Sequence, residues 1–179
     1  AEAQLLREHR DFAGSLAVLK AATARFPGDT DLIYEQAMMA ERVGRFEEME
    51  TLLRRVIELK PDHHHAYNAL GYSLADRNLR LSEAKQLIER ALKLAPGEAV
   101  IVDSLGWVEF RLGNLPEAAR LLRQAHSGRP DAEIAAHLGE VLWASGAQDE
   151  ARRVWQEAAR RDPGNEALRE TLDRLKVKL

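Results

Sequence analysis

Residues 99–130, AVIVDSLGWVEFRLGNLPEAARLLRQAHSGRP, contain the pattern that the rest of the chain repeats. A helical segment leads to Gly113, and a second helical segment leads to Pro130. Glycine adopts left-handed backbone angles and proline lacks an N–H, so both residues are typical of helix ends and turns. This stretch therefore predicts a helix, a turn, a second helix and a stop.

The same pattern recurs with a period of about 34 residues. Five of the six prolines are separated by 34, 35, 34 and 33 residues; they are Pro27, Pro61, Pro96, Pro130 and Pro163. Glycines lie about midway between prolines in three units, at Gly44, Gly113 and Gly146. A further set, Gly71, Gly106 and Gly139, lies within the first helices, where we expect close backbone packing. A fixed period of this length is typical of a repeat protein built from one supersecondary unit.

The pattern resembles the tetratricopeptide repeat, a 34-residue helix pair with small residues at places 8, 20 and 27 and proline at place 32. Place 8 holds Ala37, Gly71, Gly106 and Gly139, and place 20 holds Met49, Ala84, Ala118 and Ala151. The resemblance implies an all-α, right-handed superhelical solenoid that occupies residues 1–179 as a single fragment. Its expected parts are a partial repeat 1–29, repeats 30–63, 64–98, 99–131 and 132–164, and a capping helix 165–179 with a leucine stripe opposite Arg169, Asp173 and Arg174.

In this family the first helices line a concave groove that holds protein ligands. The resemblance indicates which positions face the groove, and we select a subset of them as a partner-binding site. This subset is rich in tyrosine, tryptophan and arginine, the residues typical of interaction hot spots. They are Tyr34, Met38, Arg42, His65, Asn68, Tyr72, Asp76, Asp103, Trp107, Phe110, Arg111, His137, Glu140 and Trp143.

The first helix of the fourth unit is apolar nearly all round, because Trp107 and Phe110 lie opposite its packing residues. Two interpretations stay open. These rings either form a pocket for apolar side chains of a bound segment, or they are covered by long side chains from neighbouring repeats. Trp155 differs, since it occupies a packing place on a second helix and is predicted to be core.

The remaining chemistry favours binding without catalysis. The 26 basic and 29 acidic residues give a net charge of −3, which does not favour nucleic acid, and the chain has no cysteine. We predict no cofactor and no metal: the run His63–His65 diverges around a helix axis, and Asp62 is read as the helix start. An enzyme using His137 with Glu133 or Glu140 is the least favoured alternative, since no catalytic motif is present.

Two strings, AYNALGYSLAD at 66–76 and DSLGWV at 103–108, are more particular than the generic repeat. They resemble a group of proteobacterial envelope lipoproteins, among them an outer-membrane adaptor of a periplasmic carboxy-terminal processing protease. That resemblance implies a non-enzymatic adaptor that binds the protease or its cell-wall hydrolase substrates at the periplasmic side of the outer membrane. The alternatives are a scaffold for assembly of a pilus or polysaccharide exporter, and a cytoplasmic location; self-association also stays open. We expect a fragment whose signal or lipid anchor lies upstream.

Overall fold

The computed structural model describes all 179 residues as eleven α-helices without a strand, which confirms the all-α prediction. The helices are α1 (Glu2–Glu8), α2 (Phe12–Arg25), α3 (Thr30–Arg42), α4 (Phe46–Leu59), α5 (His64–Asp76), α6 (Leu81–Leu94), α7 (Ala99–Arg111), α8 (Leu115–Gly128), α9 (Ala132–Ala144), α10 (Gln148–Arg161) and α11 (Glu166–Leu175). No helix combines the length and the hydropathy of a candidate transmembrane span.

Two helix lengths alternate along the repeats. The first helices α3, α5, α7 and α9 each have 13 residues, and the second helices α2, α4, α6, α8 and α10 each have 14. Every second helix is followed by one C-cap residue and then by a proline of the 34-residue period. Because the residue before proline is disfavoured in the helical region, the proline fixes where each second helix ends.

The turns within the repeats follow the glycine prediction in three of four cases. Gly44, Gly113 and Gly146 have φ values of +76°, +85° and +85°, a region that glycine enters without a steric cost. In the unit that lacks this glycine, Asn78 and Arg80 have φ values of +56° and +42°. Asparagine tolerates the left-handed region, whereas arginine there is strained, so this turn is built differently.

The start of α5 corrects one detail of the sequence interpretation. The backbone N–H of Ala66 donates to Nδ1 of His63 at 3.1 Å, and the helix begins at His64. Asp62 is exposed and precedes that contact, so the prediction that it starts the helix is wrong. A histidine ring nitrogen takes the place that a carboxylate oxygen usually fills at a helix start.

The chain forms two compact units, Ala1–Leu70 and Gly71–Leu179, and the boundary between them falls within α5. In residues 1–70, α2, α3 and α4 pack in sequence around a core that includes Leu19, Ile33 and Leu53. A partly buried pair of hydrogen bonds, centred on the buried Gln36, joins the three helices. Oγ1 of Thr23 donates to Gln36 Oε1 at 2.6 Å, and the Gln36 amide donates to Glu48 at 3.2 Å.

In residues 71–179 the helices α6 to α10 pack in sequence, and α11 packs on α9. A Cβ atom at Gly106 would lie 2.7 Å from Cγ of Leu122, and one at Gly139 would collide with the indole of Trp155. These contacts show that the helical glycines permit close packing of the first and second helices. Trp155 has no exposed surface, which confirms its assignment to the core.

Candidate functional site

Predicted groove residues of three successive first helices converge in residues 71–179. They come from the second half of α5 and from α7 and α9, at positions one repeat apart, and they surround a pocket of about 330 Å³. This pocket, called the His137 pocket below, is lined by Tyr72, Asp76, Trp107, Arg111, His137, Glu140, Ala167, Glu170, Thr171 and Arg174. Six of the fourteen residues predicted from the sequence line it, and Asp103 lies against His137.

His137 joins the three helices by contacts on both ring nitrogens and one ring face. Its Nδ1 lies 2.9 Å from Oδ2 of Asp103, and its Nε2 lies 3.2 Å from the hydroxyl of Tyr72. The imidazole stacks on the indole of Trp107 at 4.3 Å between ring centroids. Because a carboxylate only accepts, Nδ1 carries the proton that it donates to Asp103. The ring is therefore fixed in orientation and in tautomer.

The charges around His137 favour its protonated form. Burial lowers the pKa of His137, but the charge of Asp103 and the hydrogen bond to it outweigh that cost, and Asp76 and Glu140 add to the effect, so the pKa is raised. When protonated, Nε2 donates to the Tyr72 oxygen; when neutral, it accepts from the Tyr72 hydroxyl. Both states keep the contact.

Trp107 is buried, with 2% of its surface exposed. Its Nε1 donates to Oδ1 of Asp76 at 3.2 Å, and the guanidinium of Arg111 lies 4.8 Å from the indole centroid. Arg111 also donates to the backbone oxygen of Asp76 at 2.9 Å. Asp76 and His137 of the neighbouring repeats, together with Arg111 of the same helix, therefore cover this ring. This is close to the second of the two interpretations that the sequence left open. The expectation that Trp107 offers an open apolar surface is wrong.

Phe110 and Trp143 are half-buried against the core of the same unit. The Phe110 ring lies 5.2 Å from that of Trp107, and the Trp143 ring lies 5.8 Å from that of Trp155. The guanidinium of Arg152 covers the Trp143 ring at 5.2 Å. These two aromatics extend the core toward the surface and do not line the His137 pocket.

The capping helix α11 supplies four pocket residues that the sequence analysis did not predict: Ala167, Glu170, Thr171 and Arg174. The sequence interpretation places Arg174 opposite the leucine stripe, and its side chain is 54% exposed. Its guanidinium also donates to both oxygens of the buried Glu140, at 2.8 and 2.7 Å. The hydrogen bond to Glu140 raises the pKa of Arg174 further above its ordinary range. The signal that could have found these four residues is their i, i+3, i+4, i+7 spacing, which places them on one helix face beside the leucine stripe.

The groove residues predicted in residues 1–70 make separate pairwise contacts. The Tyr34 ring lies 5.2 Å from that of His63 and 6.4 Å from that of His65, and the Arg42 guanidinium lies 4.7 Å from the Phe12 centroid. Met38 and Asn68 are half-buried. These five predicted residues are not brought together around one central side chain.

The arrangement in residues 71–179 suits binding better than proton transfer. Both nitrogens of His137 are hydrogen-bonded to protein side chains, and Glu140 is bound to Arg174. Glu133, the other acid of the least favoured alternative, is exposed on the first turn of α9. The ring therefore has no free nitrogen directed at a bound molecule.

Comparisons with known proteins agree with this fold. The tetratricopeptide repeat model matches residues 1–48, 34–99 and 104–166. TPR repeat-containing protein PA4667 of Pseudomonas aeruginosa is 44% identical over 139 residues, which are 78% of this chain and 24% of that protein. The chain thus spans about a quarter of that relative's length.

Two solved structures share the fold at low sequence identity. TTC0263, a thermophilic TPR protein of Thermus thermophilus, superposes with a TM-score of 0.85 at 21% identity, covering 98% of this chain and 96% of that one. MamA of Desulfovibrio magneticus RS-1 gives a TM-score of 0.70 at 18% identity, with coverages of 92% and 93%. The chain belongs to the tetratricopeptide repeat family, whose fold is generally a non-catalytic scaffold for protein–protein interaction.

Proposed function

We propose that this chain is a non-enzymatic adaptor that binds a protein segment in the His137 pocket. The observation that carries the proposal is the convergence of three first helices and α11 on one polar pocket. Its volume of about 330 Å³ is at the lower end of the range of ligand sites. Ion pairs and hydrogen bonds already hold its side chains, so binding costs little additional ordering of the protein.

The partner that we propose is a periplasmic carboxy-terminal processing protease or one of its cell-wall hydrolase substrates. The support is the resemblance of residues 66–76 and 103–108 to envelope lipoproteins of this family. Those two strings contain Tyr72, Asp76, Asp103 and Trp107, which build the His137 pocket. The proposed place of action is the periplasmic side of the outer membrane. An adaptor there promotes proteolysis by raising the effective concentration of substrate near the enzyme.

Site-specific photo-crosslinking in envelope extract of Pseudomonas aeruginosa tests both parts of the proposal. One version of the chain carries the photo-reactive residue in place of Glu170, at the pocket, and the control carries it in place of Asp149, which is exposed on α10. We expect crosslinks to the processing protease or a cell-wall hydrolase from the Glu170 position alone.

The other outcomes are decisive as well. Equal crosslinking from both positions would show that the His137 pocket is not the contact. Capture of pilus or polysaccharide-export components, without protease or hydrolase, would replace the adaptor by the scaffold alternative.

A further inference from the structure

We infer that the His137 pocket binds the carboxamide group of an asparagine or glutamine side chain of the partner segment. This inference rests on the proposed function and specifies which chemical group the pocket recognises. A carboxamide is neutral, and it combines one acceptor oxygen with two N–H donors.

Arg111 provides the observation that points to an acceptor. Its guanidinium carries five N–H donors, but only Nη2 donates within the protein, to the backbone oxygen of Asp76 at 2.9 Å. Nε of Arg111 is buried and has no hydrogen-bond partner, and the residue lines the pocket. Buried donors are normally paired, because leaving one unpaired costs free energy. An oxygen atom supplied by a ligand would remove that cost.

Arg111 can present this donor to a ligand after a small movement. Its side chain is 30% exposed, and its guanidinium lies 4.8 Å from the Trp107 ring centroid at the pocket wall. A change in the side-chain torsions of Arg111 turns Nε toward the pocket, and side-chain adjustments of this kind are common when proteins bind.

The charges of the pocket favour a neutral ligand over an anionic one. Each of its cationic side chains already lies against an acid, in the pairs Arg111–Asp76, Arg174–Glu140 and His137–Asp103. Glu170 is a further pocket acid and has no ion pair. An incoming carboxylate would have to displace an internal acid or lie near Glu170, and both cost free energy. A cation carries no acceptor, so it would leave Nε of Arg111 unpaired.

The pocket also has acceptors for the amide N–H groups. Oδ1 of Asp76 accepts from the Trp107 indole, whereas no hydrogen bond reaches Oδ2 of the same carboxylate. A carboxamide can therefore accept from Arg111 and donate to a carboxylate at the same time, which neither a carboxylate nor an ammonium group can do. A volume of about 330 Å³ admits an asparagine or glutamine side chain with some water.

Selection of peptides from a random dodecamer phage library on the intact chain tests the inference. We expect enrichment of peptides with asparagine or glutamine at one fixed position. Fluorescence anisotropy then compares a synthetic copy of an enriched peptide with one that carries an apolar residue of similar shape, methionine for glutamine or leucine for asparagine. The apolar peptide should bind at least about tenfold more weakly, because a hydrogen bond to a charged donor is lost.

Two further peptides distinguish the ligand classes. One carries glutamate or aspartate in place of the amide residue, which keeps the shape and adds a negative charge, and the other carries lysine. Both should bind more weakly than the amide peptide. Tighter binding of the acidic peptide would identify the ligand as a carboxylate, and tighter binding of the lysine peptide would identify it as a cation. Either result would overturn the inference.

Arg111→Lys locates the contact, because lysine keeps the positive charge and has no Nε donor. This variant should bind the amide peptide about tenfold or more weakly and the apolar peptide as the wild type does, as in a double-mutant cycle. Arg152→Lys is the matched control and should bind like the wild type. The Arg152 guanidinium also covers an indole, that of Trp143 at 5.2 Å, and donates to a backbone oxygen at 2.8 Å, but it lies outside the pocket. Circular dichroism establishes that both variants keep their helices.

Enriched peptides that share no amide residue, or that bind equally well without it, would overturn the inference and leave the proposed function intact. Equal binding of the amide peptide by Arg111→Lys and Arg152→Lys would also overturn it, because Arg111 would then make no specific contact. No enrichment above a control protein would contradict both the inference and the proposed peptide-binding function.

Discussion

In residues 1–70 the predicted groove side chains make local contacts without a shared centre, whereas in residues 71–179 Tyr72, Asp103 and Trp107 all contact His137. The ninth position of the repeat is Met38 in residues 1–70. In the three following repeats, within residues 71–179, the same position is Tyr72, Trp107 and Glu140. The repeat register fixes which positions share a face. A polar pocket forms only where successive repeats place donors and acceptors within hydrogen-bond distance.

Trp107→Ala is expected to have the largest effect on this contrast. Removing a buried tryptophan typically costs about 3–5 kcal/mol, and here it also leaves His137 without its stacking partner. Urea unfolding measures the loss. The comparison variant is Tyr34→Ala in residues 1–70. Its free energy of unfolding should fall by less, because the Tyr34 ring is only half-buried. Equal losses would mean that Trp107 is no more a part of the core than Tyr34 is.

Place 8 gives the next largest effect. Gly106→Ala places a Cβ atom 2.7 Å from Cγ of Leu122 if nothing moves. Overpacking of this kind lowers the free energy of unfolding by about 1–3 kcal/mol. Ala37→Gly makes the reverse change in residues 1–70 and should cost about 1 kcal/mol through helix propensity. Thermal unfolding compares the two. A Gly106→Ala variant as stable as the wild type would show that Leu122 moves aside without penalty.

The smallest expected effect is on the pH dependence of stability. His137 in residues 71–179 and His63 in residues 1–70 should contribute to it with opposite sign. The pKa of His137 is raised above its ordinary value near 6.5, with burial opposing and Asp103 producing the rise. Its contribution to stability is therefore complete below pH 6.5 and is lost as the pH rises through the folded-state pKa. The pKa of His63 is lowered, chiefly by burial, so its contribution is present above pH 6.5 and is lost as the pH falls through the folded-state value.

Nuclear magnetic resonance titration of the two imidazoles checks these signs directly. The His137 midpoint should lie above that of an unfolded peptide and the His63 midpoint below it. Replacing His137 by glutamine should flatten the stability profile above pH 6.5 alone. Midpoints in the reverse order would contradict the assignment of Asp103 as the dominant partner of His137.

The sequence was sufficient for the features that depend on local backbone chemistry. Prolines one period apart mark the ends of second helices, and Gly44, Gly113 and Gly146 adopt the left-handed angles that their places require. The close packing at Gly106 also follows from the repeat. These features need only the order of residue types along the chain.

The candidate site was predicted less completely, because it depends on which side chains meet across repeats. Tryptophan is a residue type that is typical of interaction hot spots. In the structure, however, the imidazole of His137 and the guanidinium of Arg111 pack against the Trp107 ring. From the sequence, Arg174 is one of several charged residues on a solvated helix face. Its bond to Glu140, which lies on another helix, is visible only in the structure. His63 rather than Asp62 meets the start of α5, a choice that depends on ring orientation. Such pairings are tertiary, and residue spacing alone does not determine them.

The contribution of α11 has a consequence for stoichiometry. The first and second helices recur in every repeat, but α11 occurs once, and it supplies both Glu170 and Arg174. Within these 179 residues a site that needs this helix can therefore form only once. Titration of this chain with a single-site segment should therefore saturate at one equivalent, and joining several chains should add avidity.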